Sequence, residues 1–139
     1  MRVFETDGPA ATEAVGGEIA ATLRPGDVVH VVGELGAGKT TLVRGACRAL
    51  GVGGAITSPT FAIGHRYGAA DGLVVAHLDL YRVPSLAAED PDLLADYLGE
   101  DRITFVEWPP DGAGGLPEPR ITITLAHLEH DRRRVEVRP

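Results

Sequence analysis

Lysine occurs once in this chain, at Lys39, where it closes the run Gly33-Glu34-Leu35-Gly36-Ala37-Gly38-Lys39-Thr40. The run matches the phosphate-binding loop pattern G-x-x-x-x-G-K-[ST] at every specified position. Twelve arginines carry the remaining fixed positive charge. A compact ammonium suits a tight loop better than the broad planar fork of a guanidinium. The flanks constrain the fold further. Asp27-Val28-Val29-His30-Val31-Val32 is a short, apolar, β-branched run and reads as a buried strand. From Thr41 to Leu50, the residues Leu42, Val43, Ala46, Cys47 and Leu50 fall on one face of a helix, and Gly51 supplies its stop. Strand, glycine loop and helix follow one another as phosphate binding requires. The glycines let backbone N–H groups close around phosphates, and the helix N-terminus adds partial positive charge. Lys39 can then reach the β- and γ-phosphates of a nucleotide such as ATP, and the Thr40 hydroxyl can ligate Mg²⁺. The segment Glu34, Leu35, Gly36, Ala37, Gly38, Lys39, Thr40 and Thr41 is the expected nucleotide cradle.

The chain's 139 residues are enough for one domain with a real core and too few for two, so a single domain over 1–139 is expected. With 44% apolar and 24% charged residues, the composition argues against disorder and against a membrane protein. No stretch approaches the ~20 apolar residues of a membrane span. The opening residues, Met1 to Asp7, lack the apolar core of a signal peptide. The single cysteine, Cys47, excludes an internal disulfide and lies on a predicted core face, so an inert buried thiol in a reducing cytoplasm is expected. The net charge of −7 argues against tight, direct RNA binding, because the dense basic run is limited to Arg132-Arg133-Arg134. A role in an RNA process would then pass through another protein.

Elsewhere, Arg2-Val3-Phe4 reads as a short edge strand. Asp7 and Pro9 mark a helix start, with Val15, Ile19 and Leu23 at helical spacing before Pro25-Gly26. Two strand-like runs, Phe61 to Tyr67 and Leu73 to Leu80, flank a glycine-rich turn and predict an antiparallel hairpin. Asp90-Pro91 looks like a helix cap ahead of Leu93, Leu94, Tyr97 and Leu98. Arg102 to Val106 is another buried-looking strand, Pro109 to Pro119 is loop, and alternation around Ile121 to Leu125 and Val135 to Val137 predicts a closing hairpin turning at His130-Asp131. The expected fold is α/β: a single P-loop NTPase-like domain in which helices flank a mixed sheet, parallel near the phosphate loop and antiparallel at its margins.

Hydrolysis requires more than a phosphate loop: a carboxylate at a neighbouring strand end for the metal or its waters, and a group to position the attacking water. Asp79 ends the strand Leu73 to Leu78, and Glu107 ends Ile103 to Val106. Both would arrive at the sheet edge where ligands of open α/β sheets gather. Trp108 adjoins Glu107 and is expected in the core or, alternatively, as an anchor for a partner. Ser58-Pro59-Thr60 stands where a switch-like loop follows the first helix of the loop unit, and is equally well a hydroxyl-rich turn set by Pro59. His30 reads as a packed strand histidine. His65, His77, His127 and His130 show no metal-ligand spacing, so no zinc is expected.

Four motifs in order resemble the bacterial TsaE (YjeE) family: Gly33 to Thr41, Thr57-Ser58-Pro59-Thr60-Phe61, His77-Leu78-Asp79-Leu80-Tyr81-Arg82 and Val106-Glu107-Trp108-Pro109. The family comprises small P-loop ATPases required for threonylcarbamoyladenosine synthesis on tRNA. The resemblance implies that Lys39 and the loop backbone bind ATP phosphates. It implies that Thr40 and Glu107 hold Mg²⁺, and that Asp79 acts in hydrolysis. It places Thr60 in a switch region and sets the segment Thr6 to Pro9 and a residue near Arg132 beside the nucleotide. It implies two protein partners, the catalytic subunit of the tRNA threonylcarbamoyl transferase and its paralogue, with ATP hydrolysis supporting turnover of their assembly. The stretch Ser85 to Asp92 departs from the family pattern. Two other functions share the loop: a small-molecule kinase, which usually carries an arginine-bearing lid, and a nucleotide sensor that does not hydrolyse.

Overall fold

The computed structural model describes residues 1–57, 63–81, 94–109 and 116–139. The Ser58 to Phe61 segment, Arg82 and the Asp90-Pro91 helix start lie outside the described residues. Strand β1 (Arg2–Thr6) leads into helix α1 (Pro9–Ala20). Strand β2 (Val28–Val32) leads through the glycine loop into α2 (Lys39–Ala49). Strands β3 (Gly64–Gly68) and β4 (Val74–Asp79) form the predicted hairpin, and β5 (Arg102–Glu107), β6 (Ile121–His127) and β7 (Arg133–Arg138) complete the sheet. The seven strands run in the order β1-β7-β6-β2-β5-β4-β3. Strand β2 pairs in parallel with β5 and β6, and β5 in parallel with β4, whereas β3–β4, β6–β7 and β1–β7 are antiparallel. The fold is therefore the mixed sheet expected, with its parallel centre at the phosphate loop.

Alternation along the strands divides the core between the two sides of the sheet. On one side, Val29, Val31, Val75, Ile103, Phe105, Ile123, Leu125 and Val135 pack with Val15 and Ile19 of α1 and Leu42, Val43, Ala46 and Cys47 of α2. On the other, Val28, Leu78 and Val106 pack with Leu80 and Leu94. Each large side chain buried this way contributes about 1.5–3 kcal/mol relative to exposure. Helices α1 and α2 pack on each other as well as on the sheet. A Cβ at Gly45 would stand 2.0 Å from the Glu13 carbonyl, and one at Gly16 would stand 2.1 Å from that of Leu42. Larger residues there would push the helices apart and carry the loop at the start of α2 with them.

Local signals set most boundaries. Pro9 occupies the first turn of α1, with Gly8 rather than Asp7 as the N-cap residue, and α1 stops at Ala20, ahead of Leu23. Leu23 still packs against the core. Helix α2 begins at Lys39, three residues before Leu42 opens its apolar periodicity. Its N-cap, Gly38, is left-handed (φ 99°), a conformation that costs other residues more. Gly51 ends the same helix with φ 96°. Leu94 and Ala95 are helical, but the helix stops there: Asp96 and Tyr97 form a turn and Leu98 lies outside regular structure, short of the predicted end at Gly99.

Candidate nucleotide site

Strands β4 and β5 end in register, Asp79 beside Glu107, on the side of the sheet that carries α2. Strand β2 ends next to them and feeds the glycine loop. A cleft of about 310 Å³ opens at this edge, lined by Leu35, Gly36, Gly38, Lys39, Thr40, Thr41, Asp79, Glu107, Trp108 and Arg133. The loop and both acids singled out in the sequence thus meet in one place.

The floor is charged and largely buried. Lys39 is 5% exposed, and its Nζ donates to the carbonyls of Gly33 at 2.6 Å and Glu34 at 2.8 Å. Burial pushes its ammonium below the ordinary lysine value, and the carboxylates of Glu107 and Asp79 pull it back up. Glu107 is 3% exposed. It accepts hydrogen bonds from the Thr40 hydroxyl, at 3.2 Å to Oε2 and 3.5 Å to Oε1, and from Nε2 of His77. A buried carboxylate beside a loop hydroxyl is the oxygen-donor set that Mg²⁺ takes, so the residues present fit that ion. Asp79 is half-buried at the mouth, where its Oδ1 accepts from the Tyr81 N–H at 3.1 Å.

Trp108 is not a core ring: it lines the cleft beside Lys39. Directly after β5 its backbone turns to φ 55°, a conformation costing about 1–3 kcal/mol for a bulky residue. The turn places the indole 4.4 Å from the Lys39 Nζ and 4.8 Å from the Tyr81 ring. A cation–π contact of about 0.5–2 kcal/mol offsets part of that strain.

At the other end of the cleft, Arg132 and Arg133 diverge. Arg132 pairs with Glu5 at 3.1 Å and Glu129 at 3.2 Å and does not line the cleft. Arg133 does line it, and its Nη2 donates to the Gly36 carbonyl at 3.2 Å. Strand alternation supplies the reason. Arg133 shares a face with Val135, which is buried against the helices, so two residues back along β7 lies the loop. Pro9 lines a smaller recess of about 50 Å³ with Gly8, Thr12, Gly38, Thr41, Asp131 and Arg133. There Thr12 meets Thr6, hydroxyl to hydroxyl, at 2.8 Å. The sequence does not single out His77, and of the run Arg132-Arg133-Arg134, one member of which is a candidate for nucleotide contact, Arg133 is the one that lines the cleft. The alternation that buries Val135 and half-buries Val137 is the available signal for Arg133.

The family model for the threonylcarbamoyl adenosine biosynthesis protein TsaE matches residues 6–135. The chain belongs to the TsaE family. It is 42% identical to the tRNA threonylcarbamoyladenosine biosynthesis protein TsaE of Streptomyces coelicolor over 112 residues, covering 80% of this chain and 76% of that one. Against the Bacillus subtilis TsaE the identity is 35% over 134 residues, 95% of this chain and 82% of the relative. The crystal structure of Bacillus subtilis YdiB superposes with a TM-score of 0.75, at 31% identity, over 96% of this chain and 82% of that one. TsaE proteins serve threonylcarbamoyladenosine biosynthesis, and the P-loop architecture of this member accords with nucleotide binding. No helix among the described residues of this TsaE chain is long and apolar enough to cross a membrane.

Proposed function

We propose that this TsaE-family chain binds and slowly hydrolyses ATP with Mg²⁺ in the cytoplasm, supporting threonylcarbamoyladenosine modification of tRNA through two protein partners. The partners are the catalytic subunit of the tRNA threonylcarbamoyl transferase and its paralogue. The observation that carries the reading is the convergence of Lys39, Thr40, Asp79 and Glu107 on one cleft.

Each group has a role that its chemistry permits. The amides of the loop and the first turn of α2 face the phosphates, and no side chain among the described residues caps that helix. Lys39 neutralises phosphate charge. Thr40 and Glu107 would hold Mg²⁺, which when bound neutralises charge on the phosphate oxygens. Asp79, nearer the mouth, would orient the attacking water and accept its proton. Pro9 would flank the nucleotide together with Arg133, the residue beside Arg132 that lines the cleft. Surface charge supports indirect contact with tRNA, since a net charge of −7 disfavours the phosphate backbone.

The test is ATP binding and phosphate release by the chain alone, with free tRNA, and with each partner added or omitted. ATP-dependent association with the partners and raised turnover are expected, with no stimulation by tRNA alone. Full turnover by the isolated chain, or tight tRNA binding without partners, would contradict the reading. Phosphate transfer to a metabolite would establish a kinase instead.

A further inference from the structure

His77 is fully buried, and nothing in the proposed hydrolysis uses it. Across the strand pair its register partner is Phe105, so Glu107 lies two residues further along β5 on the same face. The two side chains are diagonal neighbours, within reach of one another when both are long. His77 Nε2 meets Glu107 Oε2, while its Nδ1 has no hydrogen-bond partner among the described residues. A carboxylate only accepts, so the ring proton belongs on Nε2.

A carboxylate buried this deeply needs donors, and Glu107 draws them from Thr40 and His77. These donors are not equivalent. Thr40 offers one proton on a freely rotating hydroxyl whose lone pair would face the cation, whereas His77 is fully buried and donates from a fixed ring on the adjacent strand. Lys39 is the competing attraction, because it is coupled electrostatically to Glu107. A Glu107 released by His77 would swing toward the ammonium and leave Thr40 without its oxygen partner.

The geometry points to His77 as the positioning residue of the metal site: its Nε2–H holds the Glu107 carboxylate facing Thr40 and thereby sets Mg²⁺ affinity in the nucleotide-bound chain. This rests on reading the cleft as a Mg²⁺–nucleotide site. It assigns His77 no contact with nucleotide.

The experiment compares wild type, His77→Leu and His77→Gln. Circular dichroism and melting report folding. Calorimetry gives ADP affinity without metal and then the Mg²⁺ titration of the ADP-bound chain. His77→Leu should need ~10- to 100-fold more Mg²⁺, the usual effect of removing a partner that orients a metal ligand. Its metal-free ADP affinity should match wild type. His77→Gln, which restores an N–H donor, should recover most of the difference. A folded His77→Leu with the wild-type Mg²⁺ titration would overturn the proposal, as would a His77→Gln no better than His77→Leu. Should His77→Leu not fold, nitrogen NMR of the wild-type imidazole decides, with His77→Gln assigning the resonance. The Nε2–H form supports the proposal, and the Nδ1–H form overturns it. A wild-type chain that binds no ADP would overturn the nucleotide reading itself, and the tautomer would still judge the His77–Glu107 contact.

Discussion

The ends of β4 and β5 lie side by side in register, yet they present their carboxylates in opposite settings. Glu107 is buried and held by His77 and Thr40, and its neighbour Trp108 folds back over Lys39. Asp79 is half-buried at the mouth, next to Tyr81, which is 53% exposed. A metal ligand benefits from a fixed orientation and low dielectric, whereas a group that handles water must stay within reach of solvent. Two acids on adjacent strands thus stand at different depths, and the proposed division of tasks rests on that difference.

The largest expected effect tests the open end. Asp79→Ala should retain nucleotide and lower the partner-stimulated turnover ~100- to 10,000-fold, the range of a lost general base. Single-turnover phosphate release measures it, and normal release would remove Asp79 from the chemical step. Next comes the floor shared by both ends. Lys39→Ala should weaken ATP binding about 10- to 150-fold, corresponding to a charge-assisted hydrogen bond of about 1.5–3 kcal/mol, without unfolding the domain. Lys39→Arg should be nearly as harmful, since the guanidinium fork cannot take the place of an ammonium bonded to the Gly33 and Glu34 carbonyls. Calorimetric titration of folded protein reads both, and unchanged affinity in Lys39→Ala would undo the phosphate-loop assignment.

A smaller effect separates the two arginines. Arg133→Ala should weaken nucleotide binding by roughly 2- to 5-fold, about the worth of one exposed charged contact, whereas Arg132→Ala should leave it unchanged. The reverse order in the same titration would mean that β7 presents its other face to the nucleotide.

The last effect, confined to high pH, concerns the core beneath both strand ends. Burial pushes the Cys47 thiol from its ordinary 9.0 up to about 12. Above pH 9 the unfolded chain releases that proton while the folded chain keeps it, so the unfolded state binds fewer protons. Stability from this group is complete below pH 9 and is lost as pH rises toward about 12. Melting curves of wild type and Cys47→Ala across that window should converge as pH rises. Parallel curves would mean that the thiol is reached by solvent.

Much of this architecture could be read in one dimension because its signals are local. The glycine loop, the β-branched strands and the acids at their ends are each written in a few adjacent residues. The antiparallel margins followed from turn spacing and alternation. What escaped depends on register between distant segments. Nothing near His77 in sequence reveals Glu107, thirty residues away, because their contact exists only once β4 and β5 are aligned. Trp108 resembled a core residue because its positive φ, which swings it over Lys39, leaves no mark in composition. The resemblance points to a residue near Arg132, and the period of β7 turns Arg133 rather than Arg132 toward the cleft.

The most direct test of the division between the two strand ends is a paired Mg²⁺ titration of nucleotide binding in Glu107→Ala and Asp79→Ala. The account predicts that Glu107→Ala loses most of the Mg²⁺ dependence, while Asp79→Ala titrates as wild type. An Asp79→Ala chain that loses Mg²⁺ dependence while Glu107→Ala keeps it would contradict the account.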